Sequence, residues 1–272
     1  MVYNHFLHYL ISLIYFISKI NCNTKFLIEN NSTSALKQSI STHLPVSFDW
    51  RTIYPNCFRF VKNKGKCASS FALSIATVLE SRICIDSNGS NQMELSPQDI
   101  LSCGSFGLNC KNEGSLEETW KFVEKSGILS EKCFPYLSKQ GIIVPQCPKN
   151  CVYPLDPLYR YKPLLNSFHL IKGIDEIKTE ILIYGPVTSV MSIYEDLALY
   201  TSGIYEFKYG KLMGNQSVVI VGWGNENGKD YWIIMNTWGK YWGENGYFKI
   251  VINDQFSNIE NNVGVSNTSS NS

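Results

Sequence analysis

Nine cysteines and four histidines are the side chains of this 272-residue chain best suited to nucleophilic or metal chemistry. A thiol or hydroxyl attacks a carbonyl only when a neighbouring group takes its proton, and near neutral pH that acceptor is usually histidine. Here the acceptor is scarce. His5 and His8 lie in a leading apolar run and His43 in the polar stretch behind it, so only His169 falls where the chain is expected to fold. It sits in Ser167-Phe168-His169-Leu170 and reads as a structural or surface histidine. Cys147-Pro148-Lys149-Asn150-Cys151 has the outline of a metal-binding pair, but without a second cluster of Cys or His it makes no zinc site. No metal or other cofactor is expected. Nine cysteines are many for a cytosolic protein and fit an oxidising compartment.

Composition narrows the remaining classes. Lys+Arg 24 against Asp+Glu 23 leaves a formal net charge of +1, with no cationic excess to neutralise phosphates, so no nucleic-acid partner is expected. With 44% apolar and 17% charged residues the chain can build a sizeable core, which excludes wholesale disorder. Phe6–Ile20 (FLHYLISLIYFISKI) is too short and polar for a comfortable span of about 20 residues, but suits the core of a signal peptide covering residues 1–22. A buried helix or a membrane anchor is the competing reading. No later stretch is apolar enough to span a bilayer. Residues 23–43 then form a short polar pro-segment, 44–265 the folded domain, and 266–272 (SNTSSNS) a solvated, flexible tail.

The elements that must position any site follow from periodicity. Phe71, Ile75, Val78, Leu79 and Ile83 recur at helical spacing over Ser70–Ile85, which predicts one buried face. Ser96-Pro97-Gln98-Asp99 starts a short helix toward Cys103, and Ser115-Leu116-Glu117-Glu118 is a capping box whose helix stops at Gly127. Asp175–Tyr184 reads as a helix ended by Gly185-Pro186. Val187–Ile193, Ser217–Trp223, Tyr231–Asn236 and Tyr247–Ile252 have the β-branched and aromatic character of strands. Helices first and strands later predict an α+β protein of two lobes.

Three segments resemble one family. Leu44-Pro45 through Asp49-Trp50-Arg51 is similar to the mature N-terminus of papain-like cysteine peptidases. Gly65-Lys66-Cys67-Ala68-Ser69-Ser70-Phe71-Ala72 resembles their nucleophile motif. Asn236-Thr237-Trp238-Gly239, followed by Trp242-Gly243-Glu244-Asn245-Gly246-Tyr247, resembles their asparagine-bearing strand and Trp-Gly turn. Cys57, Arg82-Ile83-Cys84-Ile85 and Met213-Gly214 ahead of Val221-Gly222-Trp223-Gly224 point to the cathepsin B-like branch. The resemblance implies a papain-like two-lobed fold, with a helical lobe over about 44–155 and a β-barrel-like lobe over about 156–265.

The family's chemistry uses a thiolate at a helix N-terminus, a histidine that takes and returns the proton, an asparagine that orients it, and a glutamine that helps hold the oxyanion. Carried over by position, the nucleophile falls on Ser70, the base on Gln216, the orienting residue on Asn236 and the oxyanion donor on Lys64. From position 70 to position 216 is 146 residues, inside the range of about 130–150 that separates the family's pair. A serine survives if a base remains, but an amide takes up no proton at ordinary pH. Lys64 is the one other base within reach of Ser70, and only with a depressed pKa. Cys110-Lys111-Asn112-Glu113-Gly114 replaces the family's Gly-Gly cleft wall, so Asn112, Glu113 and Gly114 are cleft residues that crowd an extended peptide. Trp238 is expected to shield the pair at 216 and 236. The His-His occluding loop of the branch is missing between Tyr136 and Cys147.

Leaving out Cys22, the resemblance implies the pairs Cys57–Cys84, Cys67–Cys110, Cys103–Cys147 and Cys133–Cys151, each contributing about 2–4 kcal/mol. It also implies a longer inhibitory propeptide than residues 23–43 provide. The expectation is a papain-fold pseudoprotease of the secretory pathway, extracellular or in a lysosome or vacuole, that binds a peptide or protein without cutting it. The alternatives are a family member with residual Ser70-based proteolysis, and a structural secreted component. Oligomeric state is not legible.

Overall fold

The computed structural model describes residues 44–104, 110–153 and 157–268; the expected signal peptide and pro-segment lie outside them. In chain order its strands are β1 (Phe48–Asp49), β2 (His169–Ile171), β3 (Val187–Tyr194), β4 (Ile204–Tyr205), β5 (Leu212–Glu226), β6 (Lys229–Met235), β7 (Tyr247–Val251) and β8 (Val263–Val265). The helices are α1 (Trp50–Ile53), α2 (Ser70–Asp86), α3 (Pro97–Cys103), α4 (Leu116–Ser126) and α5 (Ile174–Tyr184). The predicted caps hold. Ser96 Oγ accepts from Asp99 N–H at 3.1 Å and Ser115 Oγ from Glu118 N–H at 3.3 Å, satisfying amides that the first turn leaves open.

The predicted single buried face of α2 is replaced by burial all round, from Ser70 to Ile85. Small residues explain it: Ala72, Ser74, Ala76, Thr77 and Ser81 let other elements approach where the apolar stripe does not face. Consequently α2 packs against α3 and α4 and also against β3 and β5. It is the helix on which the helical half and the sheet meet.

The sheet runs β2-β8-β3-β5-β6-β7-β4, with β1 added on β5. It is open, so the expected barrel-like lobe does not close. The end strands β2 and β4 are three and two residues long, too short to carry a ladder round to closure. The α+β class is as expected. β1 reaches the sheet because Gly222 lies opposite it, where an added Cβ would come within 2.2 Å of the Phe48 carbonyl oxygen. The Asp-Trp-Arg stretch then anchors both halves. Asp49 accepts from Arg51 N–H at 2.9 Å, and the buried Trp50 indole donates to the Ile181 carbonyl at 2.6 Å.

All four implied disulfides are present, Cys57–Cys84, Cys67–Cys110, Cys103–Cys147 and Cys133–Cys151. They lie in the loop-rich first half, where few ladder bonds hold the chain. Residues 266–268, expected to be part of a solvated tail, are instead held against the folded body. Ser266 is buried, Asn267 N–H donates to Ser167 Oγ at 3.0 Å, and Thr268 donates to Asp86 at 2.5 Å. β8 feeds those residues along the folded body, so their polar groups find partners there. Residues 269–272 lie outside the described residues.

A buried charge cluster supports the chain just ahead of α2. Lys62 Nζ sits 3.1 Å from Glu80 and 3.4 Å from Glu94, with Lys62 and Glu80 almost fully buried. Burial pushes the Glu80 carboxyl up to about 7 from an ordinary 4.5, against the opposing pull of Lys62 and the Leu95 amide. The folded state therefore binds this proton more tightly than the unfolded chain, and stability rises as pH falls from about 7 to about 4.5. Urea unfolding across that window should show a slope of up to about 1.4 kcal/mol per pH unit from this group. Glu80→Gln should flatten the profile by that share, and an unchanged slope would contradict the assignment.

Candidate functional site

Ser70 opens α2, and the loop before it is pinned from both halves of the molecule. Lys64 N–H donates to the Thr237 carbonyl at 2.8 Å and Gly239 N–H to the Lys62 carbonyl at 3.1 Å, tying the loop to the segment after β6. From the other side, the Cys67–Cys110 bridge and an Ala68 N–H bond to the Cys110 carbonyl at 3.0 Å hold it to the residues ahead of α4. Tyr136 closes the arrangement: its hydroxyl donates to the Lys64 carbonyl at 3.0 Å and lies 2.7 Å from Ser69 Oγ. Burial pushes the Tyr136 phenol up to about 12, so it remains a donor.

The Ser70 hydroxyl is fully enclosed. It donates to Glu113 Oε2 at 2.8 Å and accepts from the Ser217 amide at 2.8 Å, with 0% of the residue exposed. The same carboxylate takes the first amides of α2, Ser70 N–H and Phe71 N–H, each at 3.4 Å. A carboxylate at a helix N-terminus meets both unpaired N–H groups and the positive end of the helix dipole. Even so, burial holds the Glu113 carboxyl above the ordinary range; the Ser70 bond and the Lys64 charge pull it back only in part. Gly114 permits this approach, since a Cβ there would meet the Phe71 ring at 2.7 Å. Asn112 stays exposed. The Ser70 hydrogen thus goes to Glu113 and not to Lys64.

Position 216 is equally committed. Gln216 Nε2 donates to Asn236 Oδ1 at 2.5 Å, and its Oε1 accepts from the Trp238 indole at 2.7 Å. The Thr237 amide adds a second bond to Asn236 Oδ1 at 2.8 Å. Gln216 and Asn236 are each 2% exposed, and Trp238 packs edge-on against Trp242 at 4.8 Å. Among the described residues, Asn236 Nδ2 is a buried donor without an acceptor. An amide therefore lies between Asn236 and Trp238, and it has no lone-pair nitrogen with which to take a proton.

The structure brings Ser70, Glu113, Gln216, Asn236 and Trp238 into one polar site, with Lys64 close enough to act on Glu113 by charge. His169 is elsewhere, with its Nδ1 3.0 Å from the Ser167 carbonyl and its Nε2 3.7 Å from Glu180. The Cys147/Cys151 pair is divided between two disulfides. Asp99, Cys103 and Cys147 do cluster, but both sulfurs are oxidised, which leaves one carboxylate and no metal site. What the sequence reading missed is the aim of Glu113. Its charge at a cleft position is plain in the sequence, but its contact with Ser70 lies 43 residues away along the chain.

The family model described as "Papain family cysteine protease" matches residues 44–270. The chain is 36% identical over 247 residues to cathepsin B-like cysteine proteinase 3 of Caenorhabditis elegans, covering 81% of this chain and 65% of that one, so it spans slightly less than two thirds of that relative's length. It is 34% identical to cathepsin B-like CP3 of Giardia intestinalis, covering 82% and 74%. Among solved structures, proCathepsin B S9 from Trypanosoma congolense superposes with a TM-score of 0.76 at 32% identity, covering 84% of this chain and 78% of that chain. Family model, sequence identity and fold agree: the chain belongs to the papain family of cysteine proteases, among its cathepsin B-like members.

Proposed function

We propose that this protein is a pseudoprotease, a papain-fold, cathepsin B-like chain that holds a peptide or protein partner without hydrolysing it. One observation carries the reading: both polar ends of Gln216 are bonded, to Asn236 and to Trp238, at the position where the family's base works. Losing one member of such a catalytic group typically costs several orders of magnitude in rate, and here nucleophile and base are both exchanged. Four disulfides fit an oxidising compartment, which favours the secretory route and an extracellular or lysosomal/vacuolar destination. Among the described residues no helix is long and apolar enough to cross a membrane.

A second reading rests on the 2.8 Å contact between Ser70 and Glu113, in which the carboxylate would accept the hydroxyl proton. An assay of the protein beside Ser70→Ala on a library of extended peptides decides between them. The expected result is no turnover by either protein, with peptides retained by both. Turnover that disappears in Ser70→Ala would overturn the non-catalytic reading. Retention of no peptide or protein would leave the secreted structural component as the better account.

A further inference from the structure

We propose that Glu113 is a built-in plug, the residue that decides whether the centre of the cleft admits a ligand at all. The inference rests on the reading of this site as a degenerate papain-type centre. The family motif puts glycine where this chain has Glu113, and bare backbone leaves the cleft floor open. Here a side chain folds inward from that wall and ends on the reacting position. Its two oxygens take three donors, the Ser70 hydroxyl and the Ser70 and Phe71 amides, so it sits where a nucleophile's charge and the carbonyl it attacks would meet.

Three features make the placement specific. Glycine at 114 is the only residue type that lets the wall approach, because any Cβ there overlaps the Phe71 ring. The Lys64 charge acts on the Glu113 carboxylate and offsets part of the cost of burying its charged form. The Ser217 amide closes the remaining side of the Ser70 oxygen at 2.8 Å. Ser70 is left with no exposed surface, although the family architecture around it, from Asn236 to Trp238, is intact. A ligand therefore rides above a sealed floor, against the exposed Asn112 and half-buried Trp238 that the family resemblance places at the cleft.

The plug acts through both volume and charge, and the two are separable. Ser70→Cys in the full chain supplies a thiol at the plugged position, and its alkylation by iodoacetamide is read by mass spectrometry on the peptide carrying position 70. With Glu113 in place the thiol should react slowly, with its pH midpoint raised by the adjacent carboxylate. Adding Glu113→Gly should speed alkylation at least tenfold at pH 7. Adding Glu113→Gln keeps the volume and removes the charge, so it should lower the pH midpoint. Equal rates in Ser70→Cys with and without Glu113→Gly, in proteins that both retain four disulfides, would overturn the proposal. Should the glycine variant fail to fold, an unchanged midpoint in the glutamine variant overturns it instead. Alkylation reports access alone: a cleft that opens yet retains no peptide would sink the binding role and leave the plug standing.

Discussion

The combined variant Ser70→Cys, Glu113→Gly, Gln216→His is expected to cleave fluorogenic peptides at a rate on the order of 10³-fold above the unmodified protein, while each single exchange stays at background. The frame for the reaction is already assembled. Asn236 Oδ1 accepts from the side chain at 216, so a histidine ring N–H there meets an acceptor in place, with the Trp238 indole beside it. A cysteine at position 70 would sit at the N-terminus of a 17-residue helix, where amides and dipole favour a thiolate. Glu113 is the obstacle, since its carboxylate takes the same amides and opposes a second negative charge. The members act as a unit, which is why partial restorations should gain almost nothing. Lys64→Gln would add an oxyanion donor and a further increment. The decisive comparison is the triple variant against the pair lacking Glu113→Gly, by turnover and by titration with a thiol-directed inhibitor. A folded triple variant whose new thiol at position 70 labels readily but which turns over no peptide would show that more than these side chains has been lost.

The largest stability effect is expected at Arg82 and Glu180. Arg82 lies inside α2 with 0% exposure; both its terminal nitrogens are 3.1 Å from Glu180 Oε1, and it donates to the Pro186 and Gly185 carbonyls at 2.8 and 3.2 Å. Glu180 belongs to α5, so the pair joins the central helix to the helix that precedes β3. Taking away one partner strands the other's charge away from water, which typically costs about 3–5 kcal/mol. Glu180→Ala should therefore lower Tm by about 10 °C, at about 2–4 °C per kcal/mol for a chain of this size. Arg82→Met should cost a similar amount, since it removes the guanidinium from the buried Glu180 carboxylate. Arg82→Met with Glu180→Leu should lose much less than the sum of the two, because neither charge is then orphaned. Additive losses in thermal unfolding would mean that the two groups are not energetically coupled.

These expectations differ in how far the sequence anticipates them. The helices over Ser70–Asp86, Pro97–Cys103 and Leu116–Ser126 follow from local signals, apolar spacing and capping residues that act within one turn. β5 runs longer than its β-branched centre indicates, from Leu212 to Glu226, because its neighbours β3 and β6 carry the ladder beyond it. The strands β1, β2, β4 and β8 were not legible. They are two or three residues long, and their existence depends on a distant partner, not on their own propensity. Burial of α2 on all sides was hidden for the same reason.

At the site, residue types determined a good deal before any coordinates: a serine at the position to which the family resemblance assigns the thiol, an amide at the position to which it assigns the base, and no histidine in the folded part except His169. Those are statements about which atoms can carry a proton, and atoms are written in the sequence. Direction is not. That Glu113 turns inward onto Ser70, that Gln216 bridges Asn236 and Trp238, and that Arg82 finds Glu180 are contacts between residues 20 to 98 positions apart. Only packing brings such groups together, because leaving a buried polar group unpaired is costly and most such groups take the partner that the fold delivers, Asn236 Nδ2 being an exception at this site.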